Sequence, residues 1–132
     1  MSTFKSPPDP QETGRRLFAR RSEAVIANYE QVSVGDWQPT EHECHANVTY
    51  WCEFNTNYKV VRGWLYFDFG NCMRFVRFTA HSVVEDENGL LIDITPTKAS
   101  TLYPFIRAEE DEEAFACLIM DYGMTNIDFV IR

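Results

Sequence analysis

Three residues of this chain have the types and the setting for nucleophilic chemistry. They are Cys44 in Glu41-His42-Glu43-Cys44-His45-Ala46-Asn47-Val48, His81 in Thr79-Ala80-His81-Ser82-Val83-Val84, and Asp93 in Leu91-Ile92-Asp93-Ile94-Thr95-Pro96. A thiol in the first turn of a helix feels unpaired backbone N–H groups and the positive end of the helix dipole, and both favour the thiolate. A histidine beside it takes the thiol proton, or holds it as an ion pair, and later protonates a leaving group. A carboxylate on the far imidazole nitrogen sets the tautomer and favours the imidazolium. The plainer reading makes Cys44 a small core residue and His81 a strand histidine satisfied by backbone.

An acyl-transfer site also needs donors for an oxyanion. The Cys44 backbone N–H would be one, and Gln38, six residues upstream, or the Trp37 indole would supply the second. Asn47, one turn after Cys44, either lines the site or satisfies backbone at the helix edge. His42, Cys44, His45 and His81 lack the spacings of known zinc motifs, so no metal is expected. No organic cofactor and no calcium is expected either.

These residues must be positioned by particular elements. Thr40-Glu41-His42-Glu43 reads as a capping box, which opens a helix with Cys44 in its first turn. That helix carries Cys44, Val48, Trp51 and Asn55 down one side and breaks at Asn55-Thr56-Asn57. Strands are expected over Tyr58 to Phe69, Cys72 to Glu85 and Leu90 to Thr95, with turns at Gly70-Asn71 and Asp86 to Gly89. Pairing of the last two strands decides whether His81 meets Asp93. A three-residue loop Glu87-Asn88-Gly89, with Gly89 left-handed, sets Val83 opposite Asp93 and makes His81 and Asp93 diagonal neighbours about 7 Å apart on one face. A two-residue Asn88-Gly89 loop puts them on opposite faces.

Around this centre, Asp9-Pro10-Gln11-Glu12 starts a helix expected to run to about Glu30, with a basic set Arg15, Arg16, Arg20 and Arg21 that pairs with acidic neighbours. Pro96 to Pro104 reads as irregular, Glu109 to about Tyr122 as a helix, and Asn126 to Ile131 as a last strand at a sheet edge. Two helices, a run of antiparallel strands, a helix and a strand make the class α+β.

The totals fit that picture. The 132 residues are one domain's worth, with Met1 to Pro8 as a loose lead. With 45% hydrophobic and 24% charged residues the chain is globular, not disordered. A net charge of -8 argues against a nucleic-acid or anionic membrane partner, since both demand a positive surface. There is no apolar run of signal-peptide or membrane-spanning type. Cys44, Cys52, Cys72 and Cys117 form no Cys-x-x-Cys pair and read as reduced thiols of a cytoplasmic protein.

A cysteine at a helix start, a histidine in a strand and an aspartate in the next strand resembles the transglutaminase-like branch of the papain-like fold. Val61-Arg62-Gly63-Trp64 loosely resembles that branch's Arg-x-x-x-Gly-aromatic strand, and Asp93-Ile94-Thr95-Pro96 is closer to its Asp-Pro-Thr segment. The Gln38 spacing to Cys44 is similar to that of the papain-type oxyanion glutamine. The resemblance covers about residues 37–97. It departs at Ser82, where the family often has an aromatic after the histidine, and at Cys44-His45, where it usually has Cys-aromatic. It implies a Cys-bearing helix packed on an antiparallel sheet. It also implies attack on an amide of a protein or peptide substrate, a glutamine side chain included, with hydrolysis or deamidation ahead of crosslinking. The competing expectation is a non-catalytic binding module of the same fold, an inhibitor, immunity or docking protein, with His81 and Asp93 as a structural pair.

Overall fold

A computed structural model of the chain describes residues 7–69, 74–99 and 102–131. Residues 1–6 of the expected Met1 to Pro8 lead, the Gly70-Asn71 turn and Cys72 lie outside the described residues. The fold is mixed α+β. The elements run α1 (Pro10–Ala19), β1 (Asn28–Tyr29), α2 (Cys44–Phe54), β2 (Lys59–Asp68), β3 (Phe75–Glu85), β4 (Leu91–Asp93), β5 (Phe105–Arg107), α3 (Glu112–Met120) and β6 (Asn126–Val130). The strands form one sheet, mostly antiparallel, in the order β1-β4-β3-β2-β5, with β6 also on β3; β1 alone among the described pairs runs parallel to its neighbour. Among the described residues no helix is long and apolar enough to cross a membrane.

Two compact units divide the chain. The first comprises Met1–Val25, Gly63–Ala80 and Tyr103–Arg132. Its core gathers Leu17, Trp64, Phe78, Ile106, Phe115, Leu118 and Ile127. Asp9 caps α1 by accepting from Gln11 N, and Pro10 takes the first position, where a missing N–H costs nothing. The expected continuation of this helix to Glu30 does not occur. It ends at Ala19, a 3-10 turn follows at Arg21–Glu23, and Val25 exchanges backbone hydrogen bonds with Phe105 at 3.0 and 2.7 Å. β-branched Val25 prefers that extended pairing to a helical turn, so tertiary pairing overrode the apolar spacing. The described residues of the expected irregular stretch Pro96 to Pro104 form no helix or strand, and β5, which was not expected, follows at Phe105. Arg15, Arg16 and Arg20 pair with Glu12, Glu109 and Glu23, as a solvated basic face should.

The second unit comprises Ile26–Arg62 and His81–Leu102. Its core joins Val48 and Trp51 of α2 to Val84 of β3, Ile92 of β4 and Ile94, with Val32, Val34, Trp37, Cys52, Tyr58 and Val60 packed around them. Val48 and Trp51 lie three apart on one helical face, which seats α2 against β3 and β4. In place of the expected helix around 28–29, β1 pairs parallel to β4, Tyr29 opposite Asp93, and Glu30 N donates to Asp93 O at 2.9 Å.

Candidate active site

All members of the site belong to the second unit. α2 begins at Cys44, so the thiol sits in the first turn with the helix's free N–H groups around it. The expected capping box does not form. Glu43 is the cap residue and makes no side-chain cap hydrogen bond. The entry is secured by Asn47 instead, which accepts from Thr40 N at 3.0 Å and donates to Thr40 O at 2.8 Å and to Thr95 Oγ1 at 3.0 Å. Both amide protons of Asn47 are thus used inside the protein, and its side chain is buried. It ties the loop before Cys44 to the segment after Asp93.

β3 and β4 bring His81 to Asp93. Val84 pairs with Ile92 and Glu85 with Leu91, so Val83 faces Asp93. This is the register of the three-residue loop: Gly89 has φ 84°, a conformation that favours glycine, and its N–H donates to Asp86 O at 3.0 Å. Asp86 Oδ1 reinforces the turn by accepting from Asn88 N and Leu90 N, each at 2.9 Å. His81 Nε2 then lies 2.7 Å from Asp93 Oδ2. Asp93 Oδ1 accepts from Thr95 N at 3.0 Å, so both carboxylate oxygens are engaged.

With Nε2 on Asp93, Nδ1 of His81 is left for the thiol. Burial of the half-buried Cys44 opposes its ionisation. Hydrogen bonds from His45 and His81, with electrostatic attraction to His81 and then to His45, outweigh that cost and bring the thiol from the usual 9.0 down to about 6. Burial likewise opposes the charged form of His81, but the hydrogen bond to Asp93 and then the contact with Cys44 raise it from 6.5 to about 9. Near neutral pH the pair is therefore a thiolate beside an imidazolium, and such a pair can attack a carbonyl carbon and protonate what leaves it.

The other expected residues are placed differently. Gln38 is exposed, and among the described residues its side chain forms no hydrogen bond within the protein. The Trp37 ring packs against Tyr50, centroids 4.4 Å apart, and joins the core of the unit. His42 is 87% exposed and pairs with Glu41. Among the described residues no three His, Cys, Asp or Glu side chains converge as metal ligands.

Three residues to which the sequence assigned no part in acyl transfer form one hydrogen-bonded cluster beside the site. His45, the next residue on α2, hydrogen-bonds Cys44 and has its Nδ1 2.6 Å from Ser82 Oγ. Arg62 donates from one guanidinium nitrogen to Ser82 Oγ at 3.0 Å and to His45 O at 3.1 Å, and from the other to Thr49 Oγ1 at 2.9 Å. No local sequence pattern ties His45, Ser82 and Arg62 together, since they lie on α2, β3 and β2. Compared with family models, curated proteins and solved structures, the chain matches none.

Proposed function

We propose that this protein is a cysteine-dependent acyl-transfer enzyme acting on amides of proteins or peptides, with a papain-like, transglutaminase-like arrangement in its second unit. The reading is carried by the convergence of Cys44 at a helix start with an imidazole whose far nitrogen is 2.7 Å from Asp93. The Cys44 thiolate attacks the amide carbon, and the oxygen takes up negative charge beside the first-turn N–H groups. As the C–N bond breaks, His81 gives its proton to the leaving nitrogen. The acyl group remains as a thioester on Cys44. Water, losing a proton to His81, then releases the acid; an amine in the same position would release a new amide. Asp93 holds the ring's orientation and charge throughout.

A thiolate nucleophile suits a reducing compartment, which supports placing the protein in the cytoplasm. The test is incubation of the protein with glutamine-containing peptides and peptide amides. Released ammonia and an acyl adduct mapped to Cys44 by mass spectrometry are expected, both lost in Cys44→Ala. A protein that labels only at ordinary thiol pH, turns over none of these amides and binds a peptide unchanged would instead be a binding module.

A further inference from the structure

Ser82 is fully buried at the meeting point of β2, β3 and α2. Its hydroxyl meets the Arg62 guanidinium at 3.0 Å and His45 Nδ1 at 2.6 Å. Arginine carries donors only, so Ser82 Oγ accepts from Arg62. A buried O–H needs an acceptor, and of these two partners only an imidazole nitrogen can be one. The cation also orients the hydroxyl dipole with its proton turned away from Arg62, toward His45. Arg62 further anchors the backbone of His45 through its carbonyl and, through Thr49, the next turn of α2, where Thr49 Oγ1 itself donates to His45 O at 3.0 Å.

We propose that His45 is a second hydrogen-bond donor to the Cys44 sulfur, held by Arg62 and Ser82 in the tautomer that accepts at Nδ1 and donates from Nε2. The inference rests on Cys44 being the nucleophile and assigns the side-chain donor that sequence alone placed at Gln38 or Trp37. Such a donor is fixed before reaction and points where negative charge resides, on sulfur first and on the adjacent oxyanion as the carbonyl is attacked. Ser82 and Arg62 are positioning residues that act through His45.

Two measurements test this. Long-range proton–nitrogen NMR of the wild-type protein reads the tautomer of His45 directly and needs no substrate. An unprotonated Nδ1 and a protonated Nε2 are expected; a proton on Nδ1 at neutral pH overturns the proposal. The second is the pH profile of Cys44 alkylation by iodoacetamide. His45→Ala should raise the midpoint by roughly one to two pH units, the worth of one charge-assisted hydrogen bond. Ser82→Ala should raise it by less, and Ser82→Thr, which restores the hydroxyl, should return it. If His81→Ala moves the midpoint and His45→Ala does not, the second donor is refuted while the proposed nucleophile and base survive. If the wild type labels only at ordinary thiol pH, both fall together. Folding of each variant is checked by its NMR spectrum, and the wild-type tautomer stands as a test even where a variant does not fold.

Discussion

His81 Nε2 stands 2.7 Å from Asp93 Oδ2, with the two side chains only 13% and 18% exposed. The second Asp93 oxygen is held by Thr95 N, so the carboxylate cannot turn without losing a bond. The ring is thereby committed at one nitrogen and presents the other to Cys44. The lowered value of Cys44 follows from His45 as well as from the His81 that this pair holds.

The first consequence concerns the thiol. Alkylation of Cys44 should follow a titration with a midpoint of about 6 and be complete well below pH 9.0, the ordinary thiol value. His81→Ala removes both a hydrogen bond and a charge from the sulfur, so its midpoint should rise toward the ordinary range. Peptide mass spectrometry of the alkylated protein measures both; equal midpoints would refute the thiolate–imidazolium pair.

Amide turnover should be bell-shaped in pH. The acid limb lies at about 6, where the thiolate takes a proton, and the alkaline limb at about 9, where His81 loses the proton that the leaving nitrogen needs. Asp93→Asn removes the charge that raises His81, so the alkaline limb should move down and the plateau rate fall by about 10²-fold or more. An unchanged alkaline limb in this variant would assign it to another group.

Stability should respond to pH in a way set by the pair. Cys44 has a lowered value, so its contribution is full above 9.0 and lost as pH falls through about 6. His81 has a raised value, so its contribution is full below 6.5 and lost as pH rises through about 9. Between 6.5 and 9 the two slopes oppose and cancel, because folding moves a proton from thiol to imidazole without net uptake. Cys44→Ser leaves the His81 slope uncompensated. Urea unfolding across this window should show the variant losing stability relative to wild type as pH rises, by at most about 1.4 kcal/mol per pH unit.

Asn47→Ala should cost about 2–3 kcal/mol, since it leaves Thr40 and Thr95 without their buried partner. It should also free the loop before Cys44, seen as faster amide hydrogen exchange at Thr40. A urea midpoint equal to that of wild type would show that water replaces the side chain at no cost.

In the first unit, Gly63→Ala should lower the melting temperature through overpacking worth about 1–3 kcal/mol or more. A Cβ there would lie 2.2 Å from Ile106 O and 2.5 Å from the Phe105 ring, across the pairing of β2 with β5. Calorimetry of the variant reads this directly, and an unchanged melting temperature would mean that β5 can move away.

Much of the site was legible because it is local. Glycine at position 89 with Asp86 before it encodes a three-residue turn, and a turn sets the register of its two strands, so Val83 against Asp93 and the meeting of His81 with Asp93 follow from a dozen contiguous residues. The helix start at Cys44 was legible for the same reason, although Asn47 and not a capping box secures it. What the sequence could not decide is which distant groups share one space. Whether Val25 continued a helix or paired with Phe105 depended on a strand far along the chain, and the β-branched side chain suited either until packing chose. His45, Ser82 and Arg62 have no local signature of partnership. Their hydrogen bonds exist because α2, β3 and β2 pack together, and a buried hydroxyl and a guanidinium must then find donors and acceptors among whatever that packing brings. The proposed nucleophile and base were therefore written in short-range patterns, while the partners that hold the second imidazole, Ser82 and Arg62, were decided only by tertiary structure.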